Sequence, residues 1–349
     1  PKPQTPNPKP QTPVDTVSNP QFKAGDAIKI INNSMGSSLS NSKEYNDFVS
    51  SYSSPKPGFI NPHSGRVFVY QKNGTEEQVV ELQKEFGLNQ TDESNAFRSQ
   101  GNLLLAQNAK YTTQFLFASE SKMEAMCDRR LIAQMFFDYS GVALDEYVEA
   151  TQFRSSDPSQ MGLIKASSKD LYRFFYCTFK GLRELESRGS YSGFITPQDI
   201  RVTRSEGQIN FIVPNYRPIA TFDNIYEKVS FDSSFLAPLD PFLASQFAER
   251  KSKVDYSIAS DKWALGLCAL SFIYNRPISQ YYDWENRKLL NDKVEKDLHS
   301  LRQENYDSTV VSVIEDLMRP DPKDRPSFDQ MIRKYFPDRA SVSQPLYYY

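Results

Sequence analysis

The chain reads as α+β: a small β-rich lobe, then a larger helical lobe, with an extended Pro-rich arm in front. Three observations predict this. Strand-like segments cluster early and helix-like segments late, without the regular alternation that builds a parallel sheet. The first thirteen residues repeat the hexapeptide PKPQTP around Asn7, a composition that favours polyproline conformation and cannot build a core. And 349 residues, 39% of them hydrophobic, are enough for two lobes with cores of their own.

The arm comes first. Seven of the 22 prolines precede Phe22, and this stretch is expected to lie extended along another protein. The Ser- and Asn-rich stretch Asn32–Pro57 reads as loop, so residues 1–57 are taken as arm and loop. Residues 58–139 hold the small lobe. Within it, Gly65–Gly74 reads as a strand ending in a turn. Thr75–Gly87 reads as a helix, with a capping-box start and a glycine stop. Tyr111–Ser119 and Arg130–Gly141 read as further strands.

Residues 140–338 hold the larger lobe. The segments ALDEYVEAT, SKDLYRFFYCTFKGLRELESRG, SDKWALGLCALSFIYNRPI and DSTVVSVIEDLMRPDPKDRPSFDQMIRKYF are helical by period and by their ends. Between them, Ile200–Val202 and Gln208–Val213 form a short β pair around Ser205-Glu206-Gly207. Residues 339–349 are a tail ending in PLYYY, an aromatic anchor for an interface.

Composition excludes several functions. The net charge of −2 gives no electrostatic basis for binding nucleic acid, and no apolar run reaches membrane-spanning length. Cys127, Cys177 and Cys268 are scattered, and His63 and His299 are the only histidines. Neither a disulfide framework nor a zinc site follows from that set. No cofactor is expected. Residue 1 is Pro, so the native chain is expected to begin upstream, leaving a signal sequence open. Three Asn-x-Thr/Ser sites at Asn32, Asn73 and Asn89 are read as chance matches in a cytoplasmic protein.

Two motifs in order carry a family resemblance. Asp261, Trp263, Leu265 and Gly266 fit D-x-W-x-L-G. Leu317, Asp321, Pro322, Arg325, Pro326 and Ser327 fit L-x-x-D-P-x-x-R-P-S. With FFDYSGVALDEYVEA as strand, hinge and helix, the chain resembles the protein kinase fold over Arg130–Phe336. The resemblance implies that Asp261 holds the backbone of the catalytic loop near Tyr191–Phe194. It also implies that Arg325 pairs with an acid at the end of the activation segment. Leu239 stands where that acid is usually Glu, and Asp240 is the expected substitute.

The same alignment empties the catalytic positions. Setting SGFITPQD under the family's H-R-D-L-K-P-x-N puts Phe194 at the base, Thr196 at the lysine and Asp199 at the metal-binding asparagine. A phenyl ring can accept no proton, although Asp199 keeps a carboxylate able to meet a cation. Val213 in Val213-Pro214-Asn215 replaces the aspartate of D-F-G, and magnesium wants oxygen ligands. No G-x-G occurs anywhere in the chain, so the glycine loop that cradles phosphates is missing. Lys72 is the expected counterpart of the phosphate-binding strand lysine, with Glu77 or Glu81 as its helix partner.

The resemblance therefore implies a pseudokinase: a protein-binding scaffold or a subunit of a larger assembly such as a cytoskeletal array. Its partners would be proteins met by the arm and the helical lobe. The alternative is a divergent active kinase, or another nucleotide-using transferase, with displaced groups such as Asp199 or Asp223.

Overall fold

The structure, a computed structural model, describes residues 48, 50–53, 56–57, 66–75, 77–106, 110–125, 128–152, 166–189, 191–193, 195–205, 207–215, 239–250, 256–283, 285–304 and 306–337. The Pro-rich arm, the C-terminal tail, Phe194, Cys127 and Asp223 lie outside them.

The upper lobe is an antiparallel sheet of five strands in the order β1-β2-β3-β5-β4. These are β1 (Lys56–Pro57), β2 (Arg66–Gln71), β3 (Gln78–Gly87), β4 (Phe115–Ala125) and β5 (Asp128–Asp138). Helix α1 (Thr91–Ala106) follows β3. On one face, Val80, Leu82, Phe86, Leu131, Ala133, Met135 and Phe137 pack with Phe97 of α1. On the other, Phe48 covers Tyr70, Val79 and Phe136.

Two sequence expectations fail here. Thr75–Gly87 is not a helix. Asn73-Gly74 makes a hairpin turn in which Gly74 takes φ 74°, a region few side chains allow. Thr75 Oγ1 accepts from Glu77 N within that turn at 3.2 Å, so it caps no helix. Val79 through Leu82 are all buried. A strand covered on both faces shows no alternation, and only its paired β-branched valines mark it as a strand.

The second departure is confined to the described residues 48, 50–53 and 56–57 of Asn32–Pro57, a stretch read mainly as loop. Phe48 is 6% exposed and stacks on Tyr52 at 4.4 Å, while Lys56–Pro57 pair with Val69 and Phe68. The sheet's outer face is apolar, and Phe48 and Tyr52 pack against it. The strand read at Arg130–Gly141 is β5, paired with β3 in the upper sheet.

The chain then crosses to the lower lobe through a short strand β6 (Val142–Ala143) and helix α2 (Leu144–Gln152). Helix α3 (Ser168–Ser187) starts at Ser167, whose side chain accepts from Asp170 N. A small sheet follows, in which β6 pairs with β7 (Arg201–Ser205) and β7 with β8 (Gln208–Ile212). Helices α4 (Pro241–Ala248), α5 (Ile258–Tyr274), α6 (Asn291–Gln303), α7 (Ser308–Leu317) and α8 (Phe328–Tyr335) complete the lobe, with the two-residue strands β9 (Tyr282–Asp283) and β10 (Lys288–Leu289) paired between α5 and α6.

Helix α5 is buried over every position from Ser260 to Ile273, so it is the axis of the core. Its Gly266 is required by packing: a Cβ there would stand 2.4 Å from Met318 Cγ. The segment from Asp307 to Phe336, read as helical throughout, is two helices. Pro320, Pro322 and Pro326 cannot continue a helix ladder, and a 3-10 turn over Pro322–Asp324 separates α7 from α8.

Candidate functional site

The site lies between the lobes, where α3 ends, the loop at 191–200 turns, and β8 leaves. Its foundation is Asp261 in the first turn of α5. Its carboxylate accepts from Ser192 N at 2.6 Å, Gly193 N at 2.9 Å and Tyr256 Oη at 2.6 Å. The two backbone donors fix the loop to the core helix. Asp261 is fully buried, and desolvation pushes its carboxyl up to about 6 despite those bonds.

A second buried anchor joins the segment before α4 to the turn after α7. Arg325 Nη1 meets Asp240 Oδ2 at 2.6 Å with both side chains fully buried. The guanidinium also donates to the carbonyls of Arg319, Ala259 and Pro320 and lies 5.4 Å from the Trp263 ring. Asp240 does a second job: its Oδ1 accepts from Leu243 N at 2.7 Å, capping α4, whose first residue is Pro241. That cap was legible, since Asp followed by Pro is a helix-start signal.

The positions above these anchors carry different chemistry. Asp199 is fully buried, and its Oδ2 accepts from Thr196 N at 3.0 Å and Thr196 Oγ1 at 2.5 Å. One carboxylate oxygen is thus engaged within its own turn. Val213 is fully buried, and its carbonyl accepts from Thr113 N at 2.9 Å while its N–H donates to Tyr111 O at 3.0 Å. Ser192 Oγ donates to Pro214 O. Asn215 is 6% exposed, and neither polar atom of its side chain has a partner among the described residues.

The structure does not bring Lys72 into this group. It sits at the β2–β3 turn, 41% exposed, paired with Glu77 at 2.6 Å. Neither expected partner is on a helix. Glu77 lies in the turn, and Glu81 lies within β3, accepting from Tyr70 Oη and Gln134 Nε2. The strand that leads into helix α1 is β3, and its residues on the α1 face include the apolar Val80 and Leu82. Sequence reasoning missed this because the misread helix displaced the whole alignment of the upper lobe.

It also missed Arg201, the first residue of β7. Arg201 is 6% exposed. Its guanidinium carbon lies 3.9 Å from the Tyr139 ring centroid, and its Nη2 donates to Gly141 O and, at 3.3 Å, to Gln78 Oε1. Tyr139 and Gly141 belong to the connection between lobes and Gln78 to the upper sheet. No motif names such a residue.

Residues 244–335 match the family model described as protein tyrosine and serine/threonine kinase. The family match covers the part of the lower lobe that carries Asp261, Trp263 and Arg325. That match supports the protein kinase superfamily for the chain, and the mixed helix and strand architecture fits a kinase-like α+β fold. No curated protein matches the chain. Among the described residues no helix is long and apolar enough to cross a membrane, and no cluster of His, Cys, Asp and Glu is able to hold a metal ion.

Proposed function

We propose that this protein is a pseudokinase: a kinase-shaped scaffold or structural subunit that binds other proteins and transfers no phosphate. One contrast carries the reading. The buried contacts that hold a kinase-like core, Asp261 on Ser192 and Gly193 and Asp240 on Arg325, are complete. The positions that would hold metal and phosphate carry Val213, a turn-bound Asp199 and an outlying Lys72. A valine side chain offers magnesium no oxygen. A lysine in the β2–β3 turn, already paired with a carboxylate, is poorly placed to neutralise phosphates. Partners are then proteins, met through the Pro-rich arm and the helical lobe.

The test is nucleotide binding by the intact chain. A ligand at 100 times its Kd stabilises the folded state by about 2.7 kcal/mol, several degrees in Tm for a protein of this size. Millimolar Mg·ATP is expected to move Tm by less than about one degree. A magnesium-dependent rise, with phosphate transfer that disappears in Asp199→Ala, would establish a divergent kinase instead.

A further inference from the structure

We propose that Arg201 is a built-in plug of the interlobe cleft, holding the place that a planar heterocyclic ligand would take beside the connection. The inference rests on reading this cleft as kinase-like and adds how it is kept closed.

The guanidinium is flat and bears N–H donors in its plane. Here the guanidinium carbon lies over the Tyr139 ring, and Nη2 donates to the carbonyl of Gly141. A planar ring with an exocyclic amino group would use those same two contacts: stacking on Tyr139 and donation to Gly141 O. Arg201 supplies both from inside the chain. Its remaining bond, to Gln78 Oε1 on β3, ties lower lobe to upper across the same gap.

The surroundings are built to hold this arrangement. Gly141 takes φ 94°, and a Cβ on it would stand 2.5 Å from Val202 O. Only glycine lets the connection lie this close on β7 with its carbonyl at the guanidinium. Pairing of Ala143 with Arg201 and Val142 with Val202 fixes the register beneath. Among the described residues Arg201 has no carboxylate within ion-pair distance, and its Nε is buried without a partner. A buried cation without a counter-charge is unfavourable. Stability alone would be served as well by an apolar side chain, so this site has another use for an arginine.

The experiment compares adenosine binding, free of phosphate and metal, to the wild-type chain, Arg201→Ala and Arg201→Gln. Wild type should bind with a Kd above several millimolar. Arg201→Ala should bind at least tenfold more tightly. Arg201→Gln keeps a donor for Gly141 O but cannot stack as a cation, and should fall between them. Should Arg201→Ala fail to fold, Arg201→Gln alone carries the test. Equal affinity across the folded variants, whether strong or absent, overturns the plug. The outcome is separate from the silent-kinase reading. Wild type that binds Mg·ATP contradicts that reading, while a tenfold gain in adenosine affinity on losing Arg201 still supports the plug.

Discussion

Both lobes bury a carboxylate, and they solve the problem differently. In the lower lobe Asp261 is met by two backbone N–H groups and a tyrosine hydroxyl, and Asp240 by a guanidinium. In the upper lobe Glu81 is fully buried between Tyr70 and Gln134, two neutral partners, and desolvation raises its pKa. The lower acids are anchors whose loss leaves charged or polar groups stranded. Glu81 is a buried acid that an uncharged amide can replace.

The largest effect should come from Arg325→Ala. It leaves the Asp240 carboxylate buried without its cation, and breaking such a pair costs about 3–5 kcal/mol. Denaturant unfolding would measure this, and the double variant Asp240→Leu with Arg325→Met should recover part of the loss. A loss under about 1 kcal/mol would mean that the lower anchors are no firmer than surface pairs.

Asp261→Ala comes next. It strands three buried donors, for about 3 kcal/mol at pH 5. It should also remove a pH dependence. The folded-state value of about 6 lies above the ordinary 3.8. The stability Asp261 contributes through protonation is therefore full below 3.8 and lost as pH rises through about 6. Unfolding free energies measured from pH 4 to 7 should fall along that window in wild type and lose that component in the variant.

Glu81→Gln should have the smallest effect, within about 1 kcal/mol near neutrality. Its raised pKa has the same sign, so wild type loses stability as pH rises through that value and Glu81→Gln does not. If Glu81→Gln proved as damaging as Asp261→Ala, the contrast between the lobes would collapse.

The same contrast governs what could be read from sequence. The lower lobe is legible because its anchors come with local chemistry: an acid in the first turn of a buried helix, an arginine between prolines, Ser327 capping α8 with Gln330 in return. The upper lobe is held by pairing between segments distant in sequence, and β3 is buried on both faces over Val79–Leu82, so no period gives that half away. Asn73-Gly74 was the available hairpin signal. Helix α1 escaped notice because its apolar positions are few and Gly101 interrupts it. Arg201 was invisible for another reason: its partners Gln78, Tyr139 and Gly141 lie 60 to 123 residues away, and only the fold assembles them.

Among the described residues the lobes are joined at the connection, at Val213 and through the Arg201 bond to Gln78. Tyr139 N is held by Gln78 O of the upper sheet and Val142 by Val202 of the lower, which leaves Ser140 and Gly141 as the covalent bridge. Across the cleft Tyr111 and Thr113 are bonded to Val213. Any separation of the lobes would have to break the Arg201 bond to Gln78, which lies beside the two-residue bridge.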